Sequence, residues 1–250
     1  MKLLNKKTKL EKFLEGKISA EQYIEYSICR KHGGKMRGLL SISTACTACE
    51  LCRKRHGEGK ITFKEAQKII DAICICLFCY SFDMLRRYPS LKKKLEDNTK
   101  FYCYNDLKDS DIPFINAAFF RFEAFGDLIN IQQFKNYCTI ARNNKHCTFT
   151  LFTKNAFIIS SALEMCGLKI PDNMIIIYSN PMMNTTQELD EVKKKYSFID
   201  KVFNVYSPAG AEHFNKCINC GARSCAKCLK CYKKSEEHEN NNLIEELKKS

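Results

Sequence analysis

Nowhere in the 250-residue chain do 18 apolar residues follow one another, which excludes a helix of the length a bilayer requires. The opening Met1-Lys-Leu-Leu-Asn-Lys-Lys has no apolar core of the kind a secretory leader needs, so a cytoplasmic, reducing location is expected. Familiar catalytic signatures are missing as well. There is no Gly-x-Ser-x-Gly elbow, no Gly-x-Gly-x-x-Gly turn and no His-Glu-x-x-His helix. The glycine-rich His32-Gly-Gly-Lys-Met-Arg-Gly38 is not a phosphate loop, because no Gly-Lys-Ser/Thr precedes a helix there.

What the chain has in excess is cysteine, 16 in all. In a reducing compartment dense cysteine groups read as metal sites, not disulfides. The densest is Cys217, Cys220, Cys225, Cys228 and Cys231, with gaps of two, four, two and two residues. Deprotonated sulfur is the preferred ligand of zinc and of iron–sulfur clusters. The run Cys225 to Cys231 has the spacing of a ferredoxin half-motif without the proline that usually ends it. Cys217, Cys220, Cys225 and Cys228 equally suit a zinc knuckle, so zinc and an iron–sulfur cluster both stay open. Two smaller groups are Cys46, Cys49 and Cys52, and Cys74, Cys76 and Cys79. The isolated Cys29, Cys103, Cys138, Cys147 and Cys166 read as small buried apolar residues. His56 and His213 lie near cysteine groups but form no ligand pattern of their own.

A net charge of +13 invites nucleic acid or another anionic partner. Much of it sits in runs such as Lys92–Lys94 and Lys193–Lys195, which suit solvated helix faces.

Residues 1–104 read as a helical, cysteine-rich part. Ser19-Ala-Glu-Gln22 is a capping box, Thr62-Phe-Lys-Glu65 caps a helix to about Ala72, and a helical pattern through Arg87 is interrupted at Pro89. Residues 105–212 alternate strand and helix. Strands are expected at 117–122, 146–152, 173–178 and 201–206, with helices opened by Asn130, Asn155 and Thr185 and one stopped by Gly167. Such repeats imply right-handed parallel βαβ units, and the expected fold is α/β with a partial or distorted barrel. Residues 213–250 form a cysteine-rich metal-binding segment and tail.

In parallel α/β folds the carboxyl ends of the strands converge on the binding site. Those ends here carry Arg121, Glu123, Asp127 and Lys154 as candidate catalytic residues, and Ser179 and Asn180 as candidate cofactor-binding residues. Arg121 and Lys154 suit an anionic group, with Asp127 bonded to the ligand or orienting a base.

Cys76-x2-Cys79-Tyr80-Ser81, Arg121-Phe-Glu-Ala-Phe-Gly126-Asp127 and Phe152-Thr153-Lys154 resemble motifs of the phage gene product 88 domain family. Glu123 stands where that family commonly has histidine. The family is in turn similar to radical S-adenosylmethionine barrels, whose hallmark is Cys-x3-Cys-x2-Cys. Cys76-Leu-Phe-Cys79 matches its last two ligands, and Ala72 occupies the first position. The resemblance therefore implies a third thiolate from Cys46, Cys49 or Cys52, a [4Fe–4S] cluster with one open iron, and S-adenosylmethionine at that iron. The leading expectation is an iron–sulfur α/β protein, a radical-type redox enzyme in one form. The alternative is a zinc-stabilised basic protein that binds nucleic acid without chemistry of its own.

Overall fold

The structure is a computed structural model that describes residues 7–48, 63–234 and 241–247. Cys49, Cys52, His56 and the capping Thr62 lie outside the described residues. Its strands are β1 (Leu40–Ile42), β2 (Ile73–Cys74), β3 (Phe119–Phe122), β4 (Thr148–Thr153), β5 (Met174–Ser179), β6 (Met182–Met183), β7 (Lys201–Tyr206) and β8 (Asn242–Glu246). Six of them form one sheet in the order β1-β3-β4-β5-β7-β8, every neighbouring pair parallel. β2 and β6 make a small antiparallel pair of their own.

The strand order follows the chain, so successive parallel connections step the same way, and the first four return their helices to one face. Helices Pro89–Tyr104, Ile131–Asn143, Ala156–Cys166 and Leu189–Lys195 are contributed by successive connections. Their buried residues share one core with Phe120, Phe122, Phe149, Leu151, Ile176 and Val202 of the strands. The Phe122 and Tyr137 rings stack at 4.2 Å, 9° from parallel. Each such ring contributes about 1.5–3 kcal/mol by leaving water. Helix Ala20–Ser27 joins this core through Tyr23, stacked at 4.1 Å on Phe101.

The local signals act as their chemistry requires. Ser19 and Gln22 form the reciprocal capping box, Asn130 accepts from the Gln133 amide, and Gly167 ends its helix at φ 58°, where a side chain would be strained. The helix Tyr80–Arg87 ends short of Pro89 as expected, and Pro89 starts the next one, at a position where its missing N–H costs nothing.

The sheet does not close into a barrel. Six strands in this order leave β1 and β8 as its two edges, and each edge has another cover. Cys29 exchanges both backbone bonds with Ser41 of β1. Beside β8, the Asn219 and Cys220 amides donate to the Ile244 carbonyl, and the Asn219 side chain accepts from its N–H. An edge satisfied in this way has no bonds left to offer the opposite strand. Among the described residues no helix is long and apolar enough to cross a membrane.

Two local expectations fail. The helix expected to run to about Ala72 is described only as Phe63–Ala66, because Asn184 and Ser207 bond the Ile69 carbonyl and Asn184 that of Asp71, holding this stretch against the β6 and β7 ends. Thr185 caps nothing: its hydroxyl donates to Met182, and the helix begins four residues later at Leu189.

Candidate functional site

Side chains alternate across β3. Phe120 and Phe122 enter the helix-side core, so Phe119 and Arg121 belong to the other face. Register places Thr150 beside Arg121, Ile177 beside Phe152 and Leu243 beside Phe203 on that same second face. Among the described residues no crossover helix covers it. Residues 217–232 do, with the Tyr232 ring 5.1 Å from Phe119.

Between this segment and the sheet lies a cavity of about 40 Å³ lined by Cys220, Cys225, Cys228 and Cys231 together with Lys35 and Arg121. Local backbone explains the convergence. Cys220 is fixed by its bond to Ile244, 2.9 Å long. Cys225 and Cys228 open and close a single helical turn, and Leu229 then takes a left-handed conformation, φ 54°. That reversal lets the turn Lys230–Tyr232 bring Cys231 back to the same cavity. Cys217 is exposed and does not line it.

Burial pushes the Cys231 thiol up to about 12 and that of Cys220 up to about 11, and raises Cys225 as well. Arg121 opposes this at Cys225 and Cys231, Lys35 at Cys220 and Cys225. Lys35 is itself held by an ion pair with Glu245 of β8. The pocket thus favours thiolates only when further positive charge joins them.

Among the described residues no three His, Cys, Asp or Glu side chains form a group placed to hold a single metal ion. Tetrahedral zinc with bonds of about 2.3 Å draws its sulfurs to within about 3.8 Å of one another. A cubane cluster spreads its cysteines around a larger body, one on each iron.

A second gathering lies where β1 ends. Cys46, four residues beyond Ile42, is buried in one apolar cluster with Cys74 and Cys76, and Cys79 packs against it. Residues almost 30 positions apart in sequence thereby meet at the carboxyl end of an edge strand.

The acidic strand-end residues are placed differently from Arg121. Glu123, at φ 56° just past β3, is fully buried and accepts from the Thr44 amide and hydroxyl (3.1 Å each), the Gln133 amide (2.7 Å) and the Tyr137 hydroxyl (2.5 Å). Burial still pushes its carboxyl up to about 7, with the nearby Asp127 adding to the rise. Asp127 accepts from the Thr153 hydroxyl at 2.6 Å and the Lys154 amide at 3.1 Å, and lies 3.6 Å from the Lys154 ammonium. Its carboxyl is also raised by burial. Glu123 ties β3 to the loop that carries Cys46, and Asp127 ties it to the end of β4. Glu123, Asp127 and Lys154 therefore share one strand-end network, while Arg121 faces the cysteine cavity.

Asn180 is committed to its own turn: its amide reaches Thr185 and Asn204, and its oxygen accepts from Met182. Ser179 ends β5 beside Phe203. Cys103, Cys138 and Cys147 are buried as expected; Cys29 is half-buried, and Cys166, in the last turn of its helix, is exposed. Lys35 was invisible to sequence reasoning as a site residue, since its partner Glu245 lies 210 residues away and no local pattern links them. Comparison with known proteins yields no matching family model, no matching curated protein and no matching solved structure.

Proposed function

We propose that this chain is an iron–sulfur protein in which Cys220, Cys225, Cys228 and Cys231 hold a cluster against the second face of the parallel sheet. The observation that carries the reading is the convergence of those four thiols, from three separate turns of chain, on one cavity that also receives two cations. Four thiolates around a cubane leave a net negative charge, and Lys35 and Arg121 supply the compensation such a group needs. Cys217 is left out of the ligand set.

A second reading rests on Cys46, Cys76 and Cys79. Their gathering at the carboxyl end of β1 is the placement a three-cysteine cluster with an open iron would need, and S-adenosylmethionine is the cofactor such an iron would take. In this reading Glu123 and Asp127 hold the loops around the site and do not themselves react. Substrate chemistry would then make the chain a redox enzyme.

Anaerobic purification with iron, sulfide and zinc analysis and an absorption spectrum tests both. A brown protein with near-equal iron and sulfide that bleaches under dithionite is expected. The variant Cys225→Ser/Cys228→Ser should lose about one cluster and keep any bound at Cys46, Cys76 and Cys79. Colourless protein with stoichiometric zinc and no iron after anaerobic reconstitution defeats the cluster reading. Salt-sensitive binding of nucleic acid by that zinc form would establish the basic binding protein instead.

A further inference from the structure

Among the described residues Arg121 is a cation without a counter-ion. Its guanidinium lies over the Phe152 ring, 4.0 Å from the centroid, and Nη1 reaches the Met36 sulfur at 3.7 Å. Its Nε is buried and has no hydrogen-bond partner among the described residues. Among those residues no carboxylate forms an ion pair with it, although Lys35 in the same cavity has Glu245. Arg121 as a whole is half-buried, but an Nε–H left unbonded away from water costs about 1–3 kcal/mol. Packing on Phe152 explains where the group lies but not why a charge is kept there. The cavity it lines also holds Cys220, Cys225, Cys228 and Cys231, and its charge acts on Cys225 and Cys231 as well as on His32 and Tyr232.

We propose that Arg121 is the outer-shell positioning residue of the second-face cluster, donating from Nε to cluster or cysteine sulfur and setting the reduction potential. The inference rests on the cluster reading above and adds to it a named determinant of its electronics. Hydrogen bonds to sulfur and nearby positive charge favour the more negative, reduced cluster, so they raise the potential. Removing both should lower it. Lys35 cannot take over, because its ammonium is already paired with Glu245.

The test is a mediated one-electron titration with dithionite, followed optically, on full-length protein reconstituted anaerobically. Wild type is compared with Arg121→Met and Arg121→Lys, with iron and sulfide measured on each. Arg121→Met should retain the wild-type iron and sulfide and shift the reduction equilibrium roughly tenfold toward the oxidised form, about 59 mV for one electron. Arg121→Lys keeps the charge without the Nε donor and should fall between the two. Should Arg121→Met not fold, an unchanged potential in Arg121→Lys overturns the hydrogen-bond assignment by itself. Equal potentials in all three loaded proteins overturn the proposal and leave the cluster reading standing. Wild type without iron or sulfide overturns both.

Discussion

Glu123 shows how one residue fixes the mouth of the sheet and what it costs. Four donors converge on a carboxyl that burial nevertheless holds up at about 7, well above its ordinary 4.5. A raised folded-state value means that the contribution to stability is complete below pH 4.5 and is lost as pH rises through about 7. The two values differ by about 2.5 units, so the loss across that window is about 3 kcal/mol. Glu123→Gln cannot ionise; the stability difference between wild type and this variant should therefore favour wild type most at pH 4.5 and shrink by pH 8. Denaturant midpoints at those two pH values check it, and a difference that stays constant refutes the assignment. The same corner leaves no room for a methyl group. A Cβ on Gly126 would sit 2.5 Å from the Thr44 hydroxyl and 2.7 Å from the Thr44 carbonyl, and would also meet the Glu123 carboxylate. Gly126→Ala should cost about 2–4 kcal/mol, seen as a lower denaturant midpoint with an unchanged slope.

At the scale of elements, the sequence was readable where order is local. β7 lies at 201–206 as its apolar run indicates, and Asn130 and Gly167 bound their helices because caps depend only on neighbouring residues. Thr185 misled for the opposite reason: a capping pattern was outcompeted by bonds to Met182 and Asn180 that no short window contains. The cysteine positions were likewise plain in the chain. That Cys217 stands aside, and that Lys35 and Arg121 join the other four, depends on a left-handed Leu229 and on the pairing of residues 219–220 with β8. Besides its bonds to β8, the cysteine segment is held to the sheet through Tyr232, a buried ring against Phe119. Tyr232→Ala removes that anchor, at a cost of about 3–5 kcal/mol for a buried aromatic. Hydrogen exchange should speed up in residues 217–232 and in β8, while helix Ile131–Asn143, on the far face, keeps its protection. Uniform acceleration throughout the chain would mean that the segment is not a separately anchored unit.

For the whole molecule, the open sheet and the cysteine segment are one design problem. Helices returned to a single face leave the opposite face apolar, with Phe119, Phe152, Phe203 and Leu243 to cover. A sixteen-residue stretch with no described helix longer than one turn does the covering, and it also supplies the bonds for the edge of β8. Backbone this irregular contributes little stability of its own, so a cluster of the kind proposed at the four thiols should contribute to folding directly. A ligand held only by the folded state stabilises it by about 2.7 kcal/mol at a free concentration one hundred times its dissociation constant. In a chain of this size that corresponds to roughly 5–10 °C in thermal midpoint. Stripping the bound group with an anaerobic chelator should lower the midpoint by that amount. The loss should be absent in Cys225→Ser/Cys228→Ser, which has already given up the site. If the chelator shifts wild type and variant equally, the stabilising group sits elsewhere, and Cys46, Cys76 and Cys79 become the place to look for it.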